Sequence, residues 1–245
     1  MYSRLKHIIV YIVPSPLLYK FEFLLRKVIS LFYTGSSVIC VICNKKFSSF
    51  IDIHNDDKMC PRCGSLGRHR RLWQILNSEI AINHQDRILD LSPSRIIKNK
   101  LRKKYSNYIS SDFEENRHVD KRYDITNIPE PGDSFRLIIC YHILEHIEND
   151  SKAISELYRT LKHTGIAIIQ TPFKDGETYE NPNIRTPKER LVHFGQEDHV
   201  RIYSVSGLKE RLEAVSFKVN ILEYKENENN ILGFKPLEQI LLCTK

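Results

Sequence analysis

Short apolar runs separated by polar turns recur through the second half of the chain. The run at 137–140 is unbroken and rich in β-branched residues, which favours a strand buried on both faces of a sheet. Gly132 and Asp133 mark the turn before it. On similar grounds we predict strands at 87–91, 108–113, 166–170, 217–223 and Leu237–Thr244. Helical periodicity at 17–33, 68–80, 151–161 and 208–215 completes an α/β pattern.

A polar turn follows the 137–140 strand at once. His142, Glu145 and His146 are spaced i, i+3 and i+4, which places them on one side of a helical turn. Open α/β sheets bind ligands at the carboxyl ends of their strands, so this turn is predicted to face a ligand. The string H-x-x-E-H also occurs in inverted zinc peptidases, but there it lies within a helix, and the preceding strand argues against that class here.

Four of the six cysteines form two C-x-x-C pairs. Cys40 and Cys43 precede Cys60 and Cys63, with sixteen residues between the pairs. This spacing is typical of four-cysteine zinc modules, in which each short turn presents two thiolates to one tetrahedral ion. We therefore predict a zinc ribbon at 35–67 that holds one zinc ion. Residues 46–53 and a turn at 55–57 suit a small hairpin between the two pairs. Its role should be structural, because four thiolates leave no open position on the metal.

Net charge and the cysteine pattern indicate which partners and which cellular compartment to expect for the protein. The 245 residues carry a formal net charge of +7, which favours an anionic partner such as nucleic acid, a phosphorylated substrate or an acidic membrane surface. The cysteine pattern favours a reducing, cytoplasmic compartment over a secreted disulfide framework. Charged residues in the 17–33 helix argue against a transmembrane span. Residues 1–33 could lie on a membrane, or pack on the main domain or a second subunit; the oligomeric state stays open.

Residues 87–245 carry a family resemblance. The segments D-I-T-N-I-P, I-I-C-Y-H-I-L-E-H-I and S-E-L-Y-R-T-L-K-H-T-G resemble those of class I S-adenosylmethionine-dependent methyltransferases of the type 11-like group. The resemblance implies a Rossmann-like, seven-stranded sheet with helices on both faces, and S-adenosylmethionine as cofactor. The cofactor-binding residues that we expect at the carboxyl ends of the strands are Asp90, Ser92, Asp112, Phe113, Asp124, Ile125, Thr126, Tyr141 and His142.

The turn after the first strand departs from that family. Most members follow an acidic residue with G-x-G, whereas this chain keeps Asp90 but has no glycine in the turn. Ser92 or Ser94 can cap the next helix, whose N-terminus attracts a carboxylate. The missing glycines also count against a dinucleotide dehydrogenase. Asp112, at the end of the second strand, can accept hydrogen bonds from both ribose hydroxyls.

The polar segment at 172–201 is predicted to form a lid over the substrate, because long inserts at this edge of a sheet commonly do so. His199 is our first candidate for a general base and His146 the second, since histidine titrates near neutral pH. The 68–80 helix, by resemblance, covers the cofactor cleft. The residues predicted to contact the substrate are Arg68, His69, Arg70, His193, Asp198 and Arg201.

Three domains are expected: a helical segment at 1–34, the zinc ribbon at 35–67 and the methyltransferase domain at 68–245. C-P-x-C-G-S and R-H-R ahead of the methyltransferase block resemble bacterial enzymes of surface-sugar or secondary-metabolite pathways. The expected reaction is O-methylation of a small molecule or of a sugar or glycoconjugate hydroxyl, phosphorylated acceptors included.

Other functions stay open at this stage. One is a zinc-ribbon protein that binds or modifies RNA or DNA, although the chain lacks an aromatic-and-basic array for stacking single strands. Another is a methyltransferase fold without catalysis. A third alternative is an enzyme that holds a divalent ion with His142, Glu145 and His146. This string is similar to the metal-binding residues of the O-methyltransferases of the ubiquinone pathway, which have an acidic residue in place of His142.

Overall fold

The computed structural model describes residues 15–53, 57–115 and 118–245, with side chains from residue 21 onward. Our predictions for residues 1–14, and for most of the turn at 55–57, lie outside the described residues. Lipid contact by residues 1–33 therefore stays a prediction. Among the helices that the structure describes, none is long and apolar enough to cross a membrane.

The chain divides into two compact units. The first contains the described residues up to Ala81 together with Lys225–Glu238, and the second contains Ile82–Tyr224 and Gln239–Lys245. The predicted domain boundaries at 34 and 67 stay predictions. The elements of the first unit are α1 (Ser15–Leu31), β1 (Val38–Cys40), β2 (Lys45–Phe47), β3 (Ile51–Asp52), β4 (Lys58–Met59) and α2 (Gly67–Ser78).

Two antiparallel hairpins build the cysteine-rich part of the first unit. β1 pairs with β2, and β3 pairs with β4. The sequence had predicted a single hairpin between the two cysteine pairs. The additional hairpin forms because the first C-x-x-C is itself a tight turn, in which Asn44 adopts φ +53° and donates from its backbone N–H to the Cys40 carbonyl at 2.8 Å.

A seven-stranded sheet forms the second unit. Its strands are β5 (Ile88–Leu91), β6 (Tyr108–Asp112), β7 (Lys121–Arg122), β8 (Phe135–Tyr141), β9 (Leu161–Gln170), β12 (Lys218–Lys225) and β13 (Leu237–Thr244). Their order in the sheet is β12-β13-β9-β8-β5-β6-β7. β5 pairs in parallel with β6 and β8, β8 pairs in parallel with β9, and β13 runs antiparallel to β9. These are the predicted class and strand count.

Three helices pack with this sheet, and each of them contributes apolar residues to the buried core. The helices are α3 (Arg95–Lys104), α4 (Asp150–Thr160) and α6 (Val205–Ala214). Ser94 caps α3 by accepting from the Ile97 N–H at 3.4 Å, and Asn149 caps α4 by accepting from Lys152 at 3.1 Å. The central strands are apolar on both faces, so their burial supplies most of the stabilisation.

The structure differs from the predicted elements in three places. Only a 3₁₀ turn, Leu144–His146, follows β8, and α4 begins after it. β9 starts at Leu161, because that residue is extended (φ −74°, ψ 137°) and pairs with Phe135. The 172–201 insert has regular structure: β10 (Tyr179–Glu180) and β11 (Arg201–Ile202) pair antiparallel, with α5 (Pro187–Phe194) between them.

Candidate functional site

The carboxyl ends of β5 and β6 bring together Ser92 and Asp112. Ser92 adopts φ +47°, a left-handed backbone conformation, at the turn where the resembling family has its first glycine. Its hydroxyl donates to the Asp112 carboxylate at 2.8 Å, and its backbone N–H donates to the Ser111 carbonyl at 2.7 Å. The sharp turn is therefore kept without glycine, at a backbone cost of about 1–2 kcal/mol.

Asp112 has the position and chemistry for binding a diol. Its second carboxylate oxygen accepts the Glu114 backbone N–H at 3.1 Å. A carboxylate offers about four lone-pair sites and can accept hydrogen bonds from the two hydroxyls of a ribose. The next residue, Phe113, is 63% exposed, and its ring could cover an adenine or ribose face. Both residues thus stay candidates for cofactor contact.

Asp90 is a core residue. It is 2% exposed, and the Tyr108 hydroxyl donates to its carboxylate at 2.8 Å. Burial raises the pKa of Asp90 to about 7, against the opposing influence of the Tyr108 hydrogen bond and the charge of Lys98. Contact between this carboxylate and a cofactor stays a prediction, and its surroundings indicate that it mainly supports the β5 turn.

The loop at 124–126, which by the family resemblance should contact the adenine, begins with a local turn. The Asp124 carboxylate accepts from the backbone N–H and the hydroxyl of Thr126, each at 2.8 Å. Asp124 is exposed, whereas Ile125 is 5% exposed and belongs to the hydrophobic core. The structure therefore makes Asp124 and Thr126 available to a ligand, and it gives Ile125 a packing role.

Glu145 lies in the turn after β8, against His142. His142 takes φ +55° after Tyr141 ends the strand, and its Nδ1 is 3.3 Å from a Glu145 carboxylate oxygen. Glu145 is 1% exposed. Burial alone would raise the pKa of Glu145, but the nearby imidazole of His142 and its charge hold that pKa below its usual range.

Two histidines meet beside this turn. The rings of His146 and His199 are 4.7 Å apart between centroids and nearly perpendicular, at 84°. His146 Nδ1 is 3.1 Å from an Asp198 carboxylate oxygen. His199 is 4% exposed, and burial, followed by the charge of His146, lowers its pKa. The structure thus brings together Asp198 and the two histidines that were predicted as bases.

The insert is tied to the turn by its last residues. The Val200 N–H donates to the Glu145 carbonyl at 2.9 Å. Arg201, 6% exposed, donates to the carbonyls of Leu144 (3.2 Å), Ile147 and Glu148 (2.9 Å). Arg201 was predicted to contact substrate. Because its guanidinium is buried against backbone carbonyls, the geometry instead gives it the role of holding the turn.

The other predicted residue of the insert, His193, is exposed on α5. The Tyr179 hydroxyl is 2.8 Å from its Nδ1. This pair is surface-accessible, so substrate contact by His193 stays a prediction.

The three basic residues at the start of α2 have different surroundings. Arg68, partly exposed, lies 3.4 Å from an Asp57 carboxylate oxygen. His69 Nδ1 accepts the Leu66 N–H at 3.2 Å, which caps the helix. Arg70 is completely buried, and its guanidinium donates to the carbonyls of Lys58, Ser65, Leu232 and Gly233. Substrate binding by Arg70 therefore has no support in its geometry.

The four predicted zinc ligands form one cluster. The sulfurs of Cys40 and Cys63 are 3.6 Å apart, those of Cys43 and Cys60 are 3.8 Å apart, and all four lie within 4.8 Å of one another. Four sulfurs around a zinc ion at 2.3 Å would be about 3.8 Å apart. The Ser65 hydroxyl is 3.3 Å from Cys40 Sγ and 3.2 Å from Cys63 Sγ. The cluster fits a tetrahedral, closed metal site.

Sequence reasoning missed two polar residues at the end of β9. Gln170 and Thr171 are buried, and Gln170 Oε1 and Thr171 Oγ1 have no hydrogen-bond partner in the described part of the chain. Buried polar atoms are rarely left unpaired, and this is the edge where such sheets bind ligands. A bound ligand that donates hydrogen bonds would satisfy them. A sequence signal existed: a polar pair ends an otherwise apolar strand.

Comparison with known proteins identifies the class. Residues 67–220 match the model of a methyltransferase-domain family. The match covers more than half of the chain, so the chain belongs to this family. Together with the fold, this makes it a class I S-adenosylmethionine-dependent methyltransferase. Asp112 and the polar ends of the strands supply a fitting place for that cofactor.

Solved structures share the fold at low identity. A methyltransferase from Archaeoglobus fulgidus is 16% identical, over 74% of this chain and 95% of that one, with a TM-score of 0.53. One from Mesorhizobium loti is 15% identical, over 71% and 97%, with a TM-score of 0.53. The [4+2]-cyclase SpnF is 14% identical, over 71% and 79%, with a TM-score of 0.51. No protein of curated function matches the sequence.

Proposed function

We propose that this methyltransferase acts on a hydroxyl group of a small molecule, a sugar or a glycoconjugate. One observation carries the proposal: the ring of His199, from the insert, lies against that of His146 in the turn after β8, and Asp198 orients His146. A neutral hydroxyl is a weak nucleophile and gains from a base that takes its proton. The net charge of +7 supports phosphorylated acceptors within this class.

The residues of the turn and the insert have separate tasks in this reaction. S-adenosylmethionine, when bound, supplies a methyl group whose bond to sulfur breaks, with its electron pair leaving on sulfur, as the acceptor oxygen forms the new C–O bond. His199 accepts the proton that the hydroxyl gives up. Asp198 orients the neighbouring ring of His146, and Arg201 holds the turn so that the acceptor oxygen stays in line.

The test is mass spectrometry of products from a panel of sugars, nucleotide sugars and small alcohols. We expect a hydroxyl acceptor, and we expect His199→Ala to lower turnover by about 10²–10⁴-fold with little change in cofactor affinity. His163→Ala is the matched control, because His163 is exposed near the opposite end of β9.

Three outcomes would change the proposal. Methylation of amines alone would contradict hydroxyl transfer. Loss of turnover in His146→Ala but not in His199→Ala would move the base to the turn. An absence of cofactor binding by the wild-type protein would favour a methyltransferase fold that has lost methyl transfer.

We also propose that Cys40, Cys43, Cys60 and Cys63 bind one structural zinc ion. The support is the compact cluster of four sulfurs, together with the Ser65 hydroxyl beside two of them. The two C-x-x-C pairs also support a reducing, cytoplasmic location.

A further inference from the structure

A second group of metal-ligating side chains lies in the second unit. Glu145, His146 and His199 each offer one donor atom, and the three atoms lie within 4.8 Å of one another. Glu145 is 1% exposed and His199 is 4% exposed, whereas the His146 side chain is 28% exposed. The group is thus shielded on one side and open on the other, as a site that admits a ligand must be.

The carboxylate of Glu145 points to a missing partner. Both of its oxygens are buried, and neither has a hydrogen-bond partner among the described residues. Its nearest charged neighbour is His142, whose Nδ1 is 3.3 Å from one oxygen. Burying a carboxylate without full compensation costs several kcal/mol, so an orphaned one indicates a cation or ligand at the site.

Both histidines are oriented as metal ligands usually are. His146 uses Nδ1 for Asp198, at 3.1 Å, which leaves Nε2 for a metal. His199 forms a hydrogen bond with the backbone of Phe194, which occupies one ring nitrogen and leaves the other. Histidine ligands of metals almost always bind a carboxylate or a carbonyl through their second nitrogen.

We propose that Glu145, His146 and His199 bind a divalent transition-metal ion, such as zinc or manganese, with positions left open for the acceptor hydroxyl. Two imidazoles and one carboxylate are a common donor set for such ions. The choice of acceptor rests on the proposed function, whereas the metal site itself does not. With an ion bound, His199 would be a ligand rather than the base, and the ion would lower the pKa of the acceptor hydroxyl in its place.

The geometry needs only a small adjustment. Ligands about 2.1 Å from one ion lie roughly 3–3.5 Å apart, so donor atoms separated by up to 4.8 Å must approach by up to about 1.5 Å. Side-chain rotation provides such a shift, while the backbone is already fixed by the bond between Val200 and Glu145. One ligand comes from the insert and two from the turn, so the ion would also fasten the insert.

The experiment is a titration with Co(II) of the full-length chain loaded with a single equivalent of zinc, followed by calorimetry and visible absorption. Beyond the four-cysteine zinc, we expect one further equivalent to bind, without the thiolate-to-cobalt absorption that exchange into the cysteine site would produce. His199→Ala and Glu145→Gln should abolish this equivalent. Asp198→Asn, which removes only an orienting partner, should weaken it by about 10–100-fold. His163→Ala should bind like wild type.

Each result separates the metal site from the proposed reaction. If the wild-type protein binds no additional Co(II), or if both ligand variants still bind it, the metal site is wrong. If the ion binds as expected but no hydroxyl acceptor is found in the panel, the site stands and the proposed reaction fails. Hydroxyl methylation by a chain that binds no additional ion leaves the proposed function standing with histidine bases alone.

Discussion

The four-cysteine module and the carboxyl ends of the strands both bring polar side chains together, but they differ in whether those side chains have partners. In the module, all four sulfurs point to one centre and the flanking polar groups are satisfied. At the sheet edge, Glu145, Gln170 and Thr171 keep buried oxygens without hydrogen-bond partners in the described part of the chain. The first arrangement suits a structural ion that never leaves, and the second suits ligands that come and go.

Chain distance underlies the contrast. The cysteine ligands lie on two short turns within 24 residues, whereas His199 reaches Glu145 across more than fifty. A local cluster should fail as a whole when one pair of ligands is removed. A dispersed cluster should lose function in steps, because the sheet beneath it persists.

The largest effect should follow loss of the module's metal. We expect Cys60→Ser combined with Cys63→Ser to lose the one equivalent of zinc that the module binds and to unfold the cysteine-rich hairpins, because structural zinc contributes about 10–16 kcal/mol of apparent binding energy in small zinc modules. Metal analysis and limited proteolysis check this. Cys243→Ala, at a buried core thiol, is the control and should keep its zinc. Unchanged zinc content in the double variant would contradict the closed-site reading.

The next effect concerns the pH dependence of stability at the sheet edge. Burial raises the pKa of Asp90 from 3.8 to about 7, so the folded state holds a proton that the unfolded state releases above its lower pKa. This stabilising contribution is complete below pH 3.8 and falls as pH rises toward 7. We expect the free energy of unfolding to drop by about 2–3 kcal/mol between pH 5 and pH 7.5 on this account.

Asp90→Asn isolates that contribution. The amide stays neutral, so urea unfolding of the variant should lack this part of the pH dependence, while other groups titrate as before. Equal pH dependence in wild type and variant would show that Asp90 is ionised in the folded state, and that the edge is better compensated than its burial indicates.

A smaller effect should distinguish Asp112, at the carboxyl ends of the strands, from Asp133, at the opposite end of the sheet. Asp112→Ala removes a carboxylate predicted to bind the ribose, and loss of a charge-assisted hydrogen bond costs about 1.5–3 kcal/mol, or roughly 10–150-fold in affinity. Calorimetry with S-adenosylmethionine measures it. Asp133→Ala is the control, since Asp133 pairs with Lys245 before β8 begins. If both variants bind equally well, the ribose assignment is wrong.

Sequence reasoning predicted what is local or periodic. Strand Leu237–Thr244 has its predicted bounds, and the two C-x-x-C spacings bring four sulfurs into one cluster. The α/β class and the seven strands are also as expected. These features depend on apolar period and short loop geometry, both of which can be read from neighbouring residues.

Long-range contacts were beyond the same reasoning. Charge alone favoured Arg70 and Arg201 as substrate ligands, yet both are buried and donate to backbone carbonyls. Whether an arginine faces solvent or fills the core depends on distant carbonyls that no sequence window contains. The meeting of Glu145 with His199 was hidden for the same reason.

The smallest effect concerns backbone strain in the turn after β5, which has no glycine. The left-handed backbone of Ser92, at φ +47°, costs conformational free energy. Its hydroxyl offsets part of that cost by donating a hydrogen bond to Asp112 at 2.8 Å. Ser92→Ala loses the bond and keeps the penalty, whereas Ser92→Gly loses both. We therefore expect Ser92→Gly to be more stable than Ser92→Ala by about 1 kcal/mol in urea unfolding, the glycine's greater unfolded-state entropy offsetting part of the relief. A less stable glycine variant would show that the turn is unstrained, and that serine here is an ordinary substitute for the family's glycine.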